Sequence, residues 1–365
     1  MEEKVRISPL QITILAAFFT SGSTLLVIPA SMTGKSNQDA WLSALIAVLV
    51  CCVCAYFFYV CGKAMSRETY IEYLQRVYGK ILGKIIACAY VFFSFIGSTT
   101  LLFYFGNFTT TQILTNTPIE ILNMMLAIMV IMVVRAGLEV LARTGELLFP
   151  WFLLLFLTLT IFLLPELQFE RLSPLYEANV SDHISSVIDF VGTSAFPLVI
   201  FLMFIPKNIN RPTKGKWNFI IGVLIGAGIV SVIVLLCLLV LGAPTTARQM
   251  FPSYILAKTV SLYEIIERLE SVMAGIWVVS IFFKTALYFY AFVVGVAQLL
   301  KVRDYRFLVI PLGILIVLYS TVVYPNVSYM NYWDDTHWDA YALVMGICIP
   351  FITLIIDKLK SIKKK

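Results

Sequence analysis

Two long apolar stretches of this chain are each interrupted near mid-span by a short polar run that contains glycine. The first covers 10–30 and breaks at Thr20-Ser21-Gly22-Ser23-Thr24. The second covers 184–205 and breaks at Gly192-Thr193-Ser194-Ala195-Phe196-Pro197. In lipid an unpaired backbone amide or carbonyl is costly, so a helix break survives only where protein buries it or a polar cavity faces it. Breaks at matching places in two halves of a chain mark a midplane binding site between inverted repeats.

At 365 residues the chain has the length of two soluble domains, but 60% hydrophobic and 13% charged residues exclude that class. A helix needs about 20 apolar residues to cross the hydrocarbon core. Ten stretches meet or approach that length, at roughly 10–31, 40–62, 84–111, 118–134, 145–164, 184–206, 217–241, 269–299, 306–324 and 339–357. The expected fold is an all-α integral membrane protein with ten transmembrane helices. Helices 1 and 6 are broken, which makes a five-plus-five inverted repeat of about 8–164 and 184–357 within a single transmembrane domain, 1–365. The first segment follows Met1-Glu2-Glu3-Lys4 without a cationic leader or cleavage site and reads as a retained helix.

Lysine and arginine concentrate in cytoplasmic loops. With the N-terminus inside, 21 of the 27 basic residues fall on the inner side. Five (Lys35, Arg171, Arg248, Lys258, Arg268) fall outside, and Lys284 lies within the membrane. Both termini are therefore expected inside. The net charge of +6 is then a topology signal and an attraction to anionic lipid. Nucleic-acid binding is not expected, because the basic residues are scattered over short loops. All seven cysteines sit in or beside apolar segments, so no disulfide or zinc framework is indicated. His183 and His337 lie in outer loops, and no phosphate-cradling glycine loop is present. The chain is expected to be no enzyme and to carry no cofactor or metal.

Residues 67–80 alternate charged and apolar positions at helical spacing, as an interfacial amphipathic helix does. The outer connection 242–268 contains helical turns over Phe251 to Ile266, which read either as a surface lid or as a packed connector.

Lys284 stands near the middle of segment 8, where a lysine costs about 2.5–3.5 kcal/mol to insert. Trp277, Ser280, Tyr288, Ala291 and Gly295 share its helix face, which places the side chain toward the protein interior. It is either a functional group or a structural lysine satisfied by carbonyls at a helix break. Asp189, one turn inside segment 6, meets a substrate amine, sits in vestibule water or caps a helix. Glu146 reads as a helix-start acid. In segment 3, Ser94, Gly97, Ser98, Thr99 and Thr100 lie between Phe93 and Tyr104. Small residues here serve close packing, with Gly97 the position placed to border a cavity.

Segment 8 opens Glu267-Arg268-Leu269-Glu270-Ser271, places Trp277 six residues later, and continues through Lys284, Tyr288, Phe289 and Tyr290 to Gln298-Leu299-Leu300-Lys301. With Ile7-Ser8 and Gln11 opening segment 1 and Thr117-Pro118-Ile119 leading into segment 4, the whole chain resembles the spore germination permease family. Members of that family are B subunits of nutrient germinant receptors, related to amino acid–polyamine–organocation transporters with a LeuT-like fold. The resemblance implies a place in the spore inner membrane beside an A subunit and a lipoprotein C subunit. It also implies a small nutrient ligand such as an amino acid, held between helices 1 and 6.

Carried over by position, the ligand carboxylate meets the amides around Gly22, Ser23 and Thr24, as half-helix N-termini favour anions. Ser194, Ala195 and Phe196 border the ligand from segment 6, Phe93 and Gly97 from segment 3, and Lys284 and Tyr288 from segment 8. Many relatives carry an acid just past the segment 6 break; here that stretch is Pro197-Leu198-Val199-Ile200. By analogy with cation-coupled relatives, Lys284 either replaces a bound cation between segments 1 and 8 or contacts a ligand carboxylate directly. Three functions share this pocket: a sensing receptor subunit, an amino acid transporter, and a chain that lines or gates an ion channel.

Overall fold

A computed structural model describes residues 7–66, 68–205, 212–259 and 269–362, with only the backbone for 212–215. The Glu267-Arg268 pair and the 260–266 portion of the expected lid lie outside the described residues. So do nine basic residues of the charge map: Lys4, Arg6, Arg67, Lys207, Arg211, Arg268, Lys363, Lys364 and Lys365.

All the regular elements among the described residues are helices. In order, α1 is Pro9–Ser21, α2 Thr24–Ser36, α3 Ala40–Ala64, α4 Tyr70–Tyr78, α5 Lys80–Gln112, α6 Ile119–Ala136, α7 Leu138–Leu163 and α8 Val180–Ser194. A 3-10 helix, Phe196–Met203, continues α8. Then come α9 Pro212–Leu241, α10 Ala243–Arg248, α11 Pro252–Lys258, α12 Leu269–Leu299, α13 Arg306–Ser320, α14 Val327–Trp333, α15 Asp339–Leu343 and α16 Ile349–Ile362. Two π-helical turns, Asp334–Trp338 and Val344–Cys348, join the last three into one run.

Eight described runs are long and apolar enough to cross a membrane. The ten expected segments map onto them unevenly. The outer half of the first segment runs through a short 3-10 turn into the second as Thr24–Ala64, while Pro9–Ser21 and Arg306–Ser320 are shorter apolar helices.

Helix starts follow the local chemistry. Ser8 caps α1 by accepting from Gln11 N at 3.1 Å while Gln11 Oε1 accepts from Ser8 N at 2.8 Å, and Pro9 takes the first turn. Thr69 and Glu72 form the same reciprocal cap on α4. That short helix buries Tyr70, Ile71, Tyr73, Leu74 and Val77 and turns Glu72 and Arg76 outward, as its alternation predicts. Gly79, at φ +85°, closes α4 and opens α5, a left-handed corner that favours glycine.

Glu146 departs from its expected place. α7 begins at Leu138, so Glu146 lies two turns inside it and accepts from Gln11 Nε2 at 3.0 Å, tying α7 to the start of α1. The described part of the 251–266 connection also departs from a surface lid. Phe251, Pro252, Ser253, Tyr254, Leu256 and Ala257 are buried, and Phe251 and Tyr254 set their rings edge-on against Phe108 of α5, each at 5.1 Å.

At the centre, α1 crosses α9 closely because Gly222 and Gly226 stand four residues apart on α9. A Cβ at Gly222 would lie 2.8 Å from Ala16 Cβ, and one at Gly226 would lie 2.9 Å from Thr20 Cβ. On its other side Phe18 stacks on Phe283 of α12 at 4.3 Å and meets Phe152 of α7 edge-on. The α8/3-10 run and α12 are mostly inside the protein. α7 instead presents Leu147, Trp151, Leu154 and Leu157 outward.

Candidate functional site

Both breaks occur where the sequence places them, and one proline stands in the second break while another lies inside α2, past the first. Pro197 has no N–H to give to Thr193 O, four residues earlier, and Pro29 leaves Leu25 O without its helical donor in the same way. Both carbonyls are met by side chains from other helices. Lys284 Nζ donates to Thr193 O at 2.8 Å, and Ser253 Oγ donates to Leu25 O at 2.5 Å. The first break is satisfied likewise: Ser194 Oγ donates to Thr20 O at 3.1 Å, and Ser280 Oγ donates to Gly22 O at 3.3 Å. Trp338 Nε1 donates to Gly192 O at 3.3 Å.

Lys284 therefore joins the two breaks. Besides Thr193 O it donates to Ser23 Oγ at 3.1 Å, and its ammonium stands 5.5 Å from the Phe19 ring. The side chain is 2% exposed. An ammonium has three donors, and these two acceptors use two of them.

Beside this junction lies a cavity of about 80 Å³. Ser23, Thr24, Val27, Ile28 and Ser31 line it from α1–α2, Gly97, Thr100, Leu101 and Tyr104 from α5, and Asp189 and Thr193 from α8. Lys284 and Tyr288 of α12 complete it, with Tyr324, Asp334, Asp335, Trp338 and Asp339 from the end of the chain. A volume of that size holds roughly five to eight waters, the bulk of a small organic solute.

The expected site residues divide between cavity and support. Ser23, Thr24, Gly97, Lys284 and Tyr288 line the cavity. Gly22 sits behind it: a Cβ there would lie 2.9 Å from Lys284 Cβ. The Gly22 amide is already taken by Phe18 O at 2.9 Å, so it is not a free donor for a carboxylate. Phe93 stacks on Trp338 at 5.9 Å and contacts Tyr288 and Tyr341 edges, packing under the cavity wall. Ser194 bonds Thr20 O and Thr24 Oγ1, Ala195 is fully buried, and the Phe196 carbonyl packs against Gly346. These five lie off the lining; Ala195 and Phe196 do so because the second half of the broken run winds as a tight 3-10 helix into the core rather than unwinding beside the cavity.

Asp189 is neither a helix cap nor left to vestibule water. It is 6% exposed, accepts from Lys35 Nζ at 2.5 Å and accepts from Ser31 Oγ. Sequence reading missed Tyr104, Tyr324, Asp334, Asp335, Trp338 and Asp339 as cavity residues. The available signal was their placement: three aspartates and a tryptophan at the start of the last apolar run, where a π turn carries them inward.

A family profile described as "Spore germination protein" matches residues 6–328. Among similar curated proteins, Spore germination protein KB of Bacillus subtilis (strain 168) is 31% identical over 332 residues, covering 89% of this chain and 87% of that protein. Spore germination protein YndE of the same organism is 24% identical over 362 residues, covering 97% and 96%. Among solved structures, Mhp1, a nucleobase-cation-symport-1 family transporter in a closed conformation with bromovinylhydantoin bound, superposes with a TM-score of 0.71. The identity is 13%, over 93% of this chain and 76% of that one. MhsT in complex with L-phenylalanine gives 0.62 at 14% identity, over 97% and 89%. At these identities the likeness is one of fold. This all-helical integral membrane protein belongs to the spore germination permease family and has the LeuT-like transporter fold.

Proposed function

We propose that this chain is the membrane-embedded B subunit of a nutrient germinant receptor and that it binds a small nutrient, an amino acid, in the cavity beside the two helix breaks. The observation that carries this reading is the Lys284 junction. One buried ammonium bonds both breaks and keeps a donor on the cavity they share. A ligand carboxylate there would meet Lys284 Nζ, the Ser23 and Thr24 hydroxyls and the Tyr288 hydroxyl. Gly22, Phe93, Ser194, Ala195 and Phe196 would hold those groups in place. A ligand shifts a conformational balance only by binding its states differently. Here that difference would lie in whether the halves of α1–α2 and α8 stay joined through Lys284.

In this reading the chain crosses the membrane ten times as two inverted halves, 8–164 and 184–357, with both termini in the cytoplasm. It sits in the spore inner membrane, where an A subunit and a lipoprotein C subunit read its state. The nutrient-response curve of spores carrying Lys284→Met tests it. Loss of response at normal protein level supports the reading, and an unchanged curve returns Lys284 to a structural role.

The fold of Mhp1 and MhsT favours a second reading, an amino acid permease. Accumulation of labelled amino acid by proteoliposomes containing this chain alone would select it over the pure sensor.

A further inference from the structure

The cavity has a second, acidic end. Four carboxyls line it: Asp189 of α8, Asp334 and Asp335 of the π turn, and Asp339 at the start of α15. Lys35 and Ser31 occupy Asp189. Asp334 is held only by neutral donors among the described residues, the phenol hydroxyls of Tyr104 and of Tyr324, the latter at 3.2 Å. Asp339 packs against Gly192 and stands close enough to Asp189 for the two carboxyls to repel one another. Lys35 is the cation whose field reaches Asp335 and Asp339. Asp189 is buried, Asp334 and Asp339 are half-buried and Asp335 is exposed, and half-buried carboxyls in such excess over ammonium groups are relieved by a cationic guest.

An independent observation points to a guest. Tyr288 is 1% exposed and lines the same cavity, yet its hydroxyl has no hydrogen-bond partner among the described residues. A buried hydroxyl is costly to leave unpaired, and this one lies flat against Gly97, where a Cβ would strike its ring. The other end of the cavity holds Lys284 with its remaining donor.

We propose that the cavity is built for a small zwitterion whose ammonium group seats on Asp334 and Asp339 while its carboxylate meets Lys284, with the Tyr288 hydroxyl bonding the ligand between them. The two phenols fix Asp334 as an acceptor without cancelling its charge. This inference rests on the reading that a small nutrient enters this cavity, and it names the group that discriminates among nutrients: the amine.

The test is binding to the full chain in lipid nanodiscs, by calorimetry and thermal shift. The probes are L-alanine and L-leucine, their des-amino analogues propionate and isocaproate, the amines ethylamine and isoamylamine, and the neutral solutes D-glucose and myo-inositol. On the wild-type chain, an amino acid should bind at least about tenfold more tightly than its des-amino analogue, as expected for a desolvated charge pair. In Asp334→Asn and Asp339→Asn that preference should vanish while binding of the des-amino probe stays within about twofold. Equal wild-type binding of amino acid and des-amino analogue overturns the amine seat, and this comparison does not depend on any variant folding. So does full amino acid affinity in both asparagine variants. Binding of glucose or inositol alone overturns the amine seat but keeps the nutrient cavity. Binding of no probe overturns both.

Discussion

Replacing Gly22 by alanine is the smallest change that strains the junction. A Cβ at this position would lie 2.9 Å from Lys284 Cβ and 3.1 Å from Cγ, and closer still to Cδ. Ordinary carbon contacts begin near ~3.5 Å, so the root of the lysine must retreat by about 0.6 Å, the difference from 2.9 Å. A Cβ cannot rotate away as a side-chain tip can, so α1 and α12 must part. Overpacking of this kind costs about 1–3 kcal/mol.

The same retreat stretches the bonds of Lys284 Nζ to Thr193 O and Ser23 Oγ, now 2.8 and 3.1 Å, toward the limit of useful hydrogen bonding. If about 1.4 kcal/mol of the cost falls on the ligand-competent arrangement, the nutrient threshold rises about tenfold. Two readouts check this: the melting temperature of the purified chain in nanodiscs and the nutrient dose–response of spores, with protein level measured alongside. The expectation is a modest drop in melting temperature and a clear rise in threshold. A normal melt with a normal dose–response at normal protein level would refute the close approach of α1 to Lys284.

Lys284→Met removes two charge-assisted bonds, each worth about 1.5–3 kcal/mol, but also removes a buried ammonium that costs about 2.5–3.5 kcal/mol to insert. Stability in a chemical-denaturant or thermal assay should therefore shift by no more than about 3 kcal/mol while the nutrient response is lost. Ser253→Ala strands Leu25 O beside Pro29 and should lower stability by about 1–3 kcal/mol, where an unchanged melt would mean that water takes over the carbonyl. A cysteine added after Lys365 should react only with reagents that reach the cytoplasmic face; labelling from the other side would overturn the topology.

The breaks, the amphipathic α4 and the inward face of Lys284 were legible because each has a local signature: a polar run in an apolar stretch, an alternation, a charge at mid-span. The helix boundaries on which the Glu146 expectation rested were not, since Gly137 rather than the charged turn opens α7. The cavity was legible on one side only. Its α2, α5 and α12 walls announce themselves by glycine, serine and lysine at or beside the helix break and at helical spacing. Asp334 and Asp335 were read as outer loop and Asp339 only as the start of the tenth segment, because a π turn rather than a sequence period carries the three inward. The partners of the freed carbonyls were within reach. Pro197 and Pro29 each imply an orphan oxygen four residues back, but which distant side chain fills it depends on how the helices pack.

The claim that a nutrient enters the cavity beside the breaks is tested most directly at Val27, which lines it. None of the seven native cysteines lines the cavity, so Val27→Cys adds a thiol that mass spectrometry resolves from Cys88, which is exposed elsewhere. The account predicts that the nutrient that binds the chain slows methanethiosulfonate labelling at position 27 while leaving Cys88 labelling unchanged. Saturating nutrient that leaves the rate at position 27 unaltered would place its site elsewhere and contradict the account.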